Sequence, residues 1–375
     1  MLCKAPWNHI QINAEGTVNP CCMFSPTIYH KEYKNLQEAF DGYENQNLRK
    51  RMLDGELIEG CQKCDLYESL NKFSYREHFD MKYDISTLQN PKIRELEFAL
   101  DNVCNFKCVT CSSRFSSKWY RDDLRLINLG IPRYSEAISR GKNVIKNVNN
   151  LDDLDLSELN YLKLIGGEPF INDAYIDILK KLNLENLELA LITNNSVFPE
   201  KWIDLIMKVK ILNLHISIDG VYDVGEFVRL GMNFKKFNEN LIRWKKLSEI
   251  ESKIDIKFNF VVHSLNVLNL KPTMKYLEDM GFKIEVNHIK EQKLEIDFLK
   301  EPYYINLSYI PDSLKEIIEK KLDFNLNGKR DMIVDFMYSN KHNKKIMKTF
   351  FKYCMFLEKK HALPKECEFI LNHAI

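Results

Sequence analysis

Three cysteines stand close together in the sequence, at Cys104, Cys108 and Cys111. Three residues separate the first pair and two residues separate the second pair. Three thiolates on one short loop can bind a metal ion or an iron–sulfur cluster and leave one coordination position open. An open position is typical of a catalytic site, because a purely structural site is closed by protein ligands. The spacing therefore indicates a metal-based reaction centre.

The residues around this loop predict the elements that position it. Apolar and polar residues alternate over residues 93–100, which predicts a strand, and residues 114–129 predict a helix. Further strands are predicted at 161–165, 187–192, 212–218, 254–262 and 282–286, with helices between them. This alternation predicts an α/β fold with a parallel sheet, in which ligands gather at the carboxyl ends of the strands. The cysteine loop lies at such an end.

The overall composition limits the class of protein. The chain has 375 residues, 45% of them hydrophobic and 29% charged, which is ordinary for a globular protein. A formal net charge of +1 gives no argument for nucleic acid or an anionic membrane as an obligatory partner. We find no apolar run that predicts a membrane span and no secretory signal. We therefore expect a cytoplasmic protein whose thiols stay reduced.

The cysteines need an explanation other than disulfides in a reducing compartment. Eight of the ten lie within the first 111 residues, five of them before the three-cysteine loop, at Cys3, Cys21, Cys22, Cys61 and Cys64. Such clustering indicates metal or iron–sulfur ligation. Two short strands within residues 10–18 and a helix over 35–54 complete a small, cysteine-rich N-terminal module. Cys354 and Cys367 stand alone, and we interpret them as small buried apolar residues.

Two other predicted strands end in residues that could bind a ligand. Gly166 and Gly167 would let the backbone approach a ligand closely, and the Glu168 carboxylate could pair with an ammonium group. Ser217 and Asp219 end another strand with oxygens that could bind hydroxyls such as those of a ribose. Taken singly, each pattern is also typical of an ordinary turn after a strand.

Taken together, the order Cys-x3-Cys-x2-Cys, Gly-Gly-Glu-Pro and Ser-x-Asp-Gly resembles the radical S-adenosylmethionine (radical SAM) superfamily over residues 93–289. The resemblance implies a partial (β/α)6 TIM-like barrel. It implies that the three cysteines ligate a [4Fe–4S] cluster whose fourth iron binds SAM. Residues at matching positions would contact the SAM amino group, its ribose or methionine end, and its carboxylate: Gly166, Gly167 and Glu168, then Ser217 and Asp219, then Arg229.

The activity implied is reductive cleavage of SAM to a 5′-deoxyadenosyl radical, which abstracts a hydrogen atom from a substrate. An electron donor such as flavodoxin or ferredoxin is implied with it. Two positions depart from the family pattern. Thr110 stands where relatives usually have an aromatic residue, so that Phe106 is a weak candidate for packing on adenine. Asn195, after Thr193-Asn194, stands where relatives often have glycine.

The N-terminal cysteines resemble the opening motif of SPASM and twitch auxiliary-cluster domains, in the form Cys3-x12-Gly16-x4-Cys21. With Cys61 and Cys64 this resemblance implies a second [4Fe–4S] cluster, for which Cys22 is an alternative ligand. Such domains usually follow the barrel, so the N-terminal placement is unusual. A structural zinc site is the alternative interpretation, because four cysteine thiolates are a standard zinc set.

We therefore predict three segments: an auxiliary-cluster module at 1–90, a radical SAM barrel at 91–300 and a helical extension at 301–375. The expected function is radical modification of a peptide or protein. The alternatives are radical modification of a sugar or small metabolite, and a non-enzymatic zinc or iron–sulfur adaptor. Four polar residues near the ends of the last two predicted strands could face a substrate: Asn259, His263, Asn287 and His288.

Overall fold

A computed structural model of the chain describes residues 2–25, 33–69, 73–146, 151–284, 294–299, 301–322 and 329–374. The strands in this part of the chain are β1 (His9–Ile12), β2 (Val18–Asn19), β3 (Glu95–Ala99), β4 (Lys107–Cys108), β5 (Tyr161–Ile165), β6 (Glu188–Thr193), β7 (Ile211–Ser217), β8 (Arg229–Leu230), β9 (Ile254–Val262) and β10 (Leu294–Phe298).

The α-helices are α1 (Ala5–Asn8), α2 (Leu36–Asp41), α3 (Tyr43–Leu53), α4 (Gln62–Ser69), α5 (Tyr75–Lys82), α6 (Tyr120–Asn128), α7 (Glu136–Ser139), α8 (Ala174–Leu179), α9 (Ile203–Ile206), α10 (Tyr222–Val228), α11 (Phe234–Ile250), α12 (Leu270–Asp279), α13 (Asp312–Lys321), α14 (Lys329–Tyr338), α15 (Lys344–Glu358) and α16 (Lys365–His373). Short 3₁₀ turns lie between several of them.

The main sheet has eight strands in the order β10-β9-β7-β6-β5-β3-β1-β2. Strands β3, β5 and β6 pair in parallel, as do β9 and β10, whereas β1 and β2 are antiparallel. The predicted fold class, an α/β protein with a partial (β/α)6 TIM-like barrel and a helical C-terminal part, is confirmed. Its alternation of strand and helix is the pattern on which the prediction rests.

The N-terminal strands are integrated into the main sheet. The two predicted short strands within residues 10–18 are found as β1 and β2, and their pairing is antiparallel. Strand β1 also pairs in parallel with β3, with His9 opposite Glu95 and Ile12 opposite Phe98. The small module at the N-terminus therefore contributes two strands, β1 and β2, to the main sheet.

The chain divides into two compact units. Unit 1 comprises residues 1–102, 144–191 and 200–213, and unit 2 comprises 103–143, 192–199 and 214–375. Unit 1 has an N-terminal hydrophobic cluster that includes Trp7, Leu48 and Phe79. Unit 2 contains β9, β10, the β4–β8 pair and helices α10–α16. The three-segment division at residues 90 and 300 stays a prediction.

Two sequence predictions differ from the structure. The helix predicted over 35–54 is two helices, because Gly42 between them has an extended backbone, with φ −74° and ψ 177°. A Cβ at Gly42 would lie 2.4 Å from the Glu38 carbonyl oxygen. The strand predicted over 282–286 is wrong for residues 282–284, which are outside any strand. Residues 285–286 lie outside the described residues. Strand β10 takes the last position of the sheet instead.

Candidate functional site

The three-cysteine loop lies in unit 2 and contains the short strand β4. Strand β4 pairs antiparallel with β8, which places Cys108 opposite Arg229 and Lys107 opposite Leu230. The Val109 N–H also donates to the Val228 carbonyl at 2.8 Å. The loop is therefore tied by backbone hydrogen bonds to the segment that carries Arg229.

Side chains from outside the loop bind its backbone carbonyls. Trp119 Nε1 donates to the Cys108 carbonyl at 2.9 Å, and the Tyr353 hydroxyl donates to the Val109 carbonyl at 3.0 Å. The Arg133 guanidinium donates to the Cys111 carbonyl. Trp119 and Tyr353 are both fully buried, so they hold the loop from inside the core of unit 2. Packed hydrogen-bond donors of this kind fix the positions of the thiols before any cofactor binds.

The thiols of the three-cysteine loop interact with one another and with neighbouring side chains. A hydrogen bond from the Cys111 thiol lowers the pKa of the Cys108 thiol, against the effect of burial. The same hydrogen bond, together with burial, raises the pKa of Cys111. Cys104 Sγ accepts a long contact from Asn194 Nδ2 at 3.7 Å. In the described part of the chain no three Cys, His, Asp or Glu side chains could hold one metal ion; cysteines that ligate a cluster bind separate irons.

Arg229 carries an unsatisfied polar atom in this region. Its Nη1 donates to Asp219 Oδ2 at 2.7 Å, whereas its Nε is buried and has no hydrogen-bond partner. The Arg229 side chain is only 7% exposed. Burial alone would lower the pKa of this guanidinium, but the negative charges of Cys108 and Asp219 raise it above the usual value. A permanent cation with a buried free donor, beside the cysteine loop, fits a carboxylate ligand.

Asp219 uses both of its carboxylate oxygens within the protein. Oδ2 accepts from Arg229, and Oδ1 accepts from the Val261 N–H at 3.0 Å. The Asp219 carbonyl accepts from Asn266 Nδ2 at 2.9 Å. These contacts hold Asp219 rigidly and orient Arg229. Ser217, at the end of β7, is half-buried.

The departures from the family pattern have local explanations. Asn195 has a φ of 56°, in the left-handed region that glycine occupies readily and asparagine tolerates better than most residues. Its side chain donates to the Phe237 carbonyl at 2.9 Å. Phe106 is 2% exposed, and the Arg229 guanidinium lies 6.0 Å from its ring centroid. Phe106 therefore supports Arg229 from within the core.

The other polar residues at strand ends differ in their surroundings. His263 is fully buried, its Nδ1 accepts from the Leu265 N–H at 3.2 Å, and burial lowers its pKa to about 4. The Asn259 side-chain oxygen is buried without a hydrogen-bond partner. The neutral, packed imidazole of His263 is typical of a structural histidine. Asn287 and His288 lie outside the described residues.

The Gly-Gly-Glu-Pro segment lies in unit 1 and follows β5. Gly166 has a φ of +115°, and a Cβ there would lie 2.7 Å from the Asp101 carbonyl oxygen. The Gly167 N–H donates to that same carbonyl at 3.2 Å. Glu168 is 2% exposed and accepts from the Phe170 N–H at 3.3 Å, which caps the following 3₁₀ turn. A side chain at position 166 would fill this cradle, so only glycine fits without displacement of the backbone.

Four N-terminal cysteines of unit 1 line one small cavity. They are Cys3, Cys21, Cys61 and Cys64, and Gly60, Phe24 and Tyr75 complete much of the wall. Burial raises the pKa of Cys3 to about 12 and that of Cys61 to about 11. Neutral thiols are stable in this apolar wall, and a bound metal would deprotonate them. Four thiols around one cavity fit the ligation of an iron–sulfur cluster, whose irons bind separate thiolates.

Cys22 does not line this cavity. Burial and the negative charge of Glu97 raise its pKa to about 12, and its thiol hydrogen bonds with Tyr75 and Glu97. The neighbouring residue, Cys21, lines the cavity. The two adjacent cysteines therefore have different surroundings, which separates Cys22 from the four-thiol set.

Sequence reasoning missed a buried charged cluster in unit 1. It is centred on Glu97, which accepts from Gln11 Nε2 at 3.1 Å and from the Tyr75 hydroxyl at 3.1 Å. Lys163 Nζ lies 3.5 Å from Glu97 Oε1, and the positive charge of Lys163 lowers the pKa of Glu97 despite its burial. Glu97 and Lys163 are paired across β3 and β5. Charged residues at every second position of neighbouring predicted strands were the available signal.

Among the described residues, no helix has the length and apolar character needed to cross a membrane.

Comparison with protein families gives two matches. Residues 100–266 match the model of the radical SAM superfamily, and residues 3–65 match SPASM, described as an iron–sulfur cluster-binding domain. A curated relative, "Probable GTP 3',8-cyclase" from Methanocaldococcus jannaschii, is 22% identical over 247 residues, which cover 65% of this chain and 74% of the relative. The motifs of the candidate site lie within the first match, and the four-thiol set lies within the second.

Two solved structures are also similar. "Native anSMEcpe with bound AdoMet and Cp18Cys peptide" is 16% identical with a TM-score of 0.38, and the match covers 66% of this chain and 63% of that chain. "Crystal structure of Streptococcus suis SuiB bound to precursor peptide SuiA" is 14% identical with a TM-score of 0.38, and the match covers 82% of this chain and 64% of that one. The match thus spans less than two thirds of either structure.

Proposed function

Because this chain belongs to the radical SAM superfamily and carries a SPASM domain, we propose that it reductively cleaves SAM and modifies a peptide or protein by hydrogen-atom abstraction. The superfamily implies a [4Fe–4S] cluster and SAM as cofactors, and the SPASM domain implies auxiliary iron–sulfur.

The observation that carries the proposal is the pairing of Cys108 with Arg229. It puts a buried cation with a free Nε donor directly across a two-stranded sheet from a thiol of the three-cysteine loop. In the proposed site Cys104, Cys108 and Cys111 hold the cluster, and Arg229 binds the SAM carboxylate. When bound and reduced, that cluster would supply the electron for cleavage of SAM to methionine and a 5′-deoxyadenosyl radical.

The remaining residues act by binding and positioning. Asp219 holds the Arg229 guanidinium at 2.7 Å and so fixes the direction of its free donor. Ser217 would bind the ribose or methionine end of SAM. In unit 1, Gly166 and Gly167 leave the backbone open to the methionine amino group, and the Glu168 carboxylate would pair with that ammonium.

For the auxiliary site we propose Cys3, Cys21, Cys61 and Cys64 as ligands of a second [4Fe–4S] cluster. The shared cavity supports this set, and it leaves Cys22 out. Four protein thiolates would close the site to substrate, so its role would be electron transfer or support of the substrate pocket.

The support for a peptide or protein substrate is the SPASM resemblance of residues 3–65, since relatives with such domains often modify peptides. A nucleotide is the second candidate, because the curated relative is described as a GTP 3',8-cyclase and the match covers most of its length.

An anaerobic assay tests the proposal. Purified protein is analysed for iron, sulfide and zinc, and 5′-deoxyadenosine release from SAM is measured with dithionite. About eight irons per chain with SAM cleavage are expected from two [4Fe–4S] clusters. Zinc without SAM cleavage would support the adaptor interpretation instead. Cleavage that rises on addition of GTP, with a cyclised product by mass spectrometry, would favour the nucleotide.

A further inference from the structure

The wall of the four-thiol cavity contains one permanently charged side chain among the described residues, that of Arg76. The other lining residues are the four cysteines and apolar or aromatic residues such as Phe24 and Phe79. The Arg76 side chain is only 6% exposed. A buried cation therefore lies beside the proposed auxiliary site, in a wall that is otherwise mainly apolar.

The Arg76 guanidinium contacts one of the proposed ligands directly. It hydrogen bonds with the Cys61 thiol, and its positive charge opposes burial, which raises the pKa of Cys61 to about 11. In a cluster-containing site the same contact would be made to a ligand sulfur. Hydrogen bonds to the sulfurs and the net charge around a cluster are two of the factors that set its reduction potential.

Two carboxylates of α4 hold the guanidinium in place. Arg76 Nη2 donates to Asp65 Oδ1 and Nη1 donates to Glu68 Oε2, both at 2.6 Å. The Ser74 hydroxyl donates to the other Glu68 oxygen, also at 2.6 Å. A guanidinium has five N–H donors, so these two bonds leave others for a thiol. Helix α4 also carries Cys64, so the helix that supplies a proposed ligand orients the cation against the site.

The two carboxylates offset the charge of Arg76 only in part at the thiols. The Asp65 side chain is 35% exposed and the Glu68 side chain is 23% exposed, so both are wetter than the guanidinium. Water screens the charges of exposed groups more strongly than that of a buried cation. At Cys61 the effect of the Arg76 charge accordingly exceeds that of Asp65.

We propose that Arg76 raises the reduction potential of the auxiliary cluster, through its hydrogen bond to the Cys61 sulfur and its buried positive charge. The inference rests on the auxiliary-cluster part of the proposed function. Reduction adds one electron from an external one-electron donor, with no bond made or broken and no proton moved. The nearby cation stabilises the added negative charge, because charges interact more strongly in an apolar wall than in water. Arg76 therefore makes this cluster easier to reduce.

The test measures the reduction potential of the auxiliary cluster on its own. The full-length variant C104A/C108A/C111A lacks the proposed ligands of the other cluster, so about four irons per chain should remain. This variant, called the parent, is titrated anaerobically with dithionite in the presence of redox mediators. Electron paramagnetic resonance quantifies the reduced cluster at each potential.

Three substitutions are compared in that parent: R76M, R76K and R51M. Arg51 is the matched control, because it is a half-exposed arginine of unit 1 whose Nε also pairs with a carboxylate, that of Glu56, at 2.6 Å. R76M should lower the ratio of reduced to oxidised cluster at a fixed potential by about tenfold or more. For a one-electron couple, tenfold corresponds to about 59 mV.

The conservative variant and the control define the outcome. R76K keeps a positive charge and N–H donors, so its potential should shift less than that of R76M, and R51M should have the potential of the parent. Equal potentials in R76M and the parent would overturn the inference. A shift in R51M as large as that in R76M would overturn it as well.

A second pair of variants covers loss of the cluster, because R76M leaves Asp65 and Glu68 without their cation. If R76M holds no iron, the comparison is made between D65N/E68Q and R76M/D65N/E68Q in the same parent. These two proteins differ only at position 76, and neither has an unpaired carboxylate there. The triple variant should have the lower potential, and equal potentials would overturn the inference.

This inference and the proposed function can fail separately. Zinc in place of iron in the parent would overturn the inference, because no reducible cluster would be present. SAM cleavage by the unaltered chain would still support the proposed function in that case. An unaltered chain without SAM cleavage would contradict the proposed function, whereas a lower potential in R76M would still support the role of Arg76.

Discussion

Cys108 and Arg229 are paired residues of the two-stranded β4–β8 sheet, and their side chains belong to one charged group with Asp219. The pairing joins residues that are far apart in sequence, a thiol of the three-cysteine loop and the arginine expected to bind a carboxylate. Asp219 balances the arginine charge while its second oxygen is held by the Val261 N–H. The site is thus organised by the protein before a ligand binds.

Replacement of Arg229 should remove most SAM affinity. A charged hydrogen bond contributes about 1.5–3 kcal/mol, so R229M should raise the SAM dissociation constant by about tenfold to a hundredfold. Equilibrium binding of SAM to the cluster-containing protein measures this change. K235M, at an exposed lysine, is the control and should bind normally.

R229M also leaves the Asp219 carboxylate buried and without its cation, which should destabilise the fold. The double variant R229M/D219N removes both charges, so its free energy of unfolding should recover while SAM binding stays weak. Recovery of SAM binding in the double variant would show that Arg229 has no direct role.

The cysteine next to the auxiliary site should be dispensable for metal binding. C22S should keep the iron content of the unaltered chain, because Cys22 does not line the four-thiol cavity. C61S should lose about four irons, the content of one cluster. Iron and sulfide analysis of both variants measures the difference. Iron loss in C22S with full iron in C61S would reverse the ligand assignment.

Gly166 should not tolerate a side chain. G166A and G55A both place alanine at a positive φ, which costs about 1–3 kcal/mol, but nothing lies within 4 Å of a Cβ at Gly55. At Gly166 the Cβ would also meet the Asp101 carbonyl oxygen at 2.7 Å. We therefore expect G166A to lose more free energy of unfolding than G55A and to bind SAM more weakly. Equal losses would mean that the close approach at Gly166 is relieved elsewhere.

Buried His263 should make stability fall in mild acid. Its pKa is lowered to about 4 in the folded protein, against about 6.5 when exposed, so the unfolded chain takes up a proton first. Stability is therefore complete above pH 6.5 and decreases as the pH falls towards 4. Between pH 7.5 and 5.0 this histidine should cost about 2 kcal/mol.

The substitution H263Q removes that contribution. Urea unfolding at the two pH values measures the difference between the proteins. The unaltered chain should lose about 2 kcal/mol more than H263Q between pH 7.5 and 5.0. The same loss in both proteins would show that other groups control the acid sensitivity.

The fold was predictable where the sequence repeats with a clear period. Strands β5 and β9 lie at the residues predicted for them, because apolar residues alternate through both. The position of β10 was not predictable, since the apolar alternation over 282–286 is as good as that of Leu294–Phe298. Pairing of β1 with β3 was also missed, because a local hairpin pattern contains no information on a third strand.

The candidate site could likewise be predicted from the sequence only in part. The cysteine, glycine and arginine positions follow from motif spacing, which short sequence segments contain. The β4–β8 pairing was missed because strands of two residues have no measurable period. The hydrogen bonds of Trp119, Arg133 and Tyr353 to the loop carbonyls were missed because each joins residues whose contact depends on the folded core.

Formation of 5′-deoxyadenosine tests the central claim most directly. Anaerobic protein is incubated with SAM and dithionite, and the nucleoside is quantified for the unaltered chain, C108A and C354A. Cys354 is a buried cysteine of α15 outside the proposed ligand sets and serves as the control. We predict SAM cleavage by the unaltered chain and by C354A, and none by C108A. Cleavage retained in C108A, or absent from an unaltered chain that holds its full iron, would contradict the account.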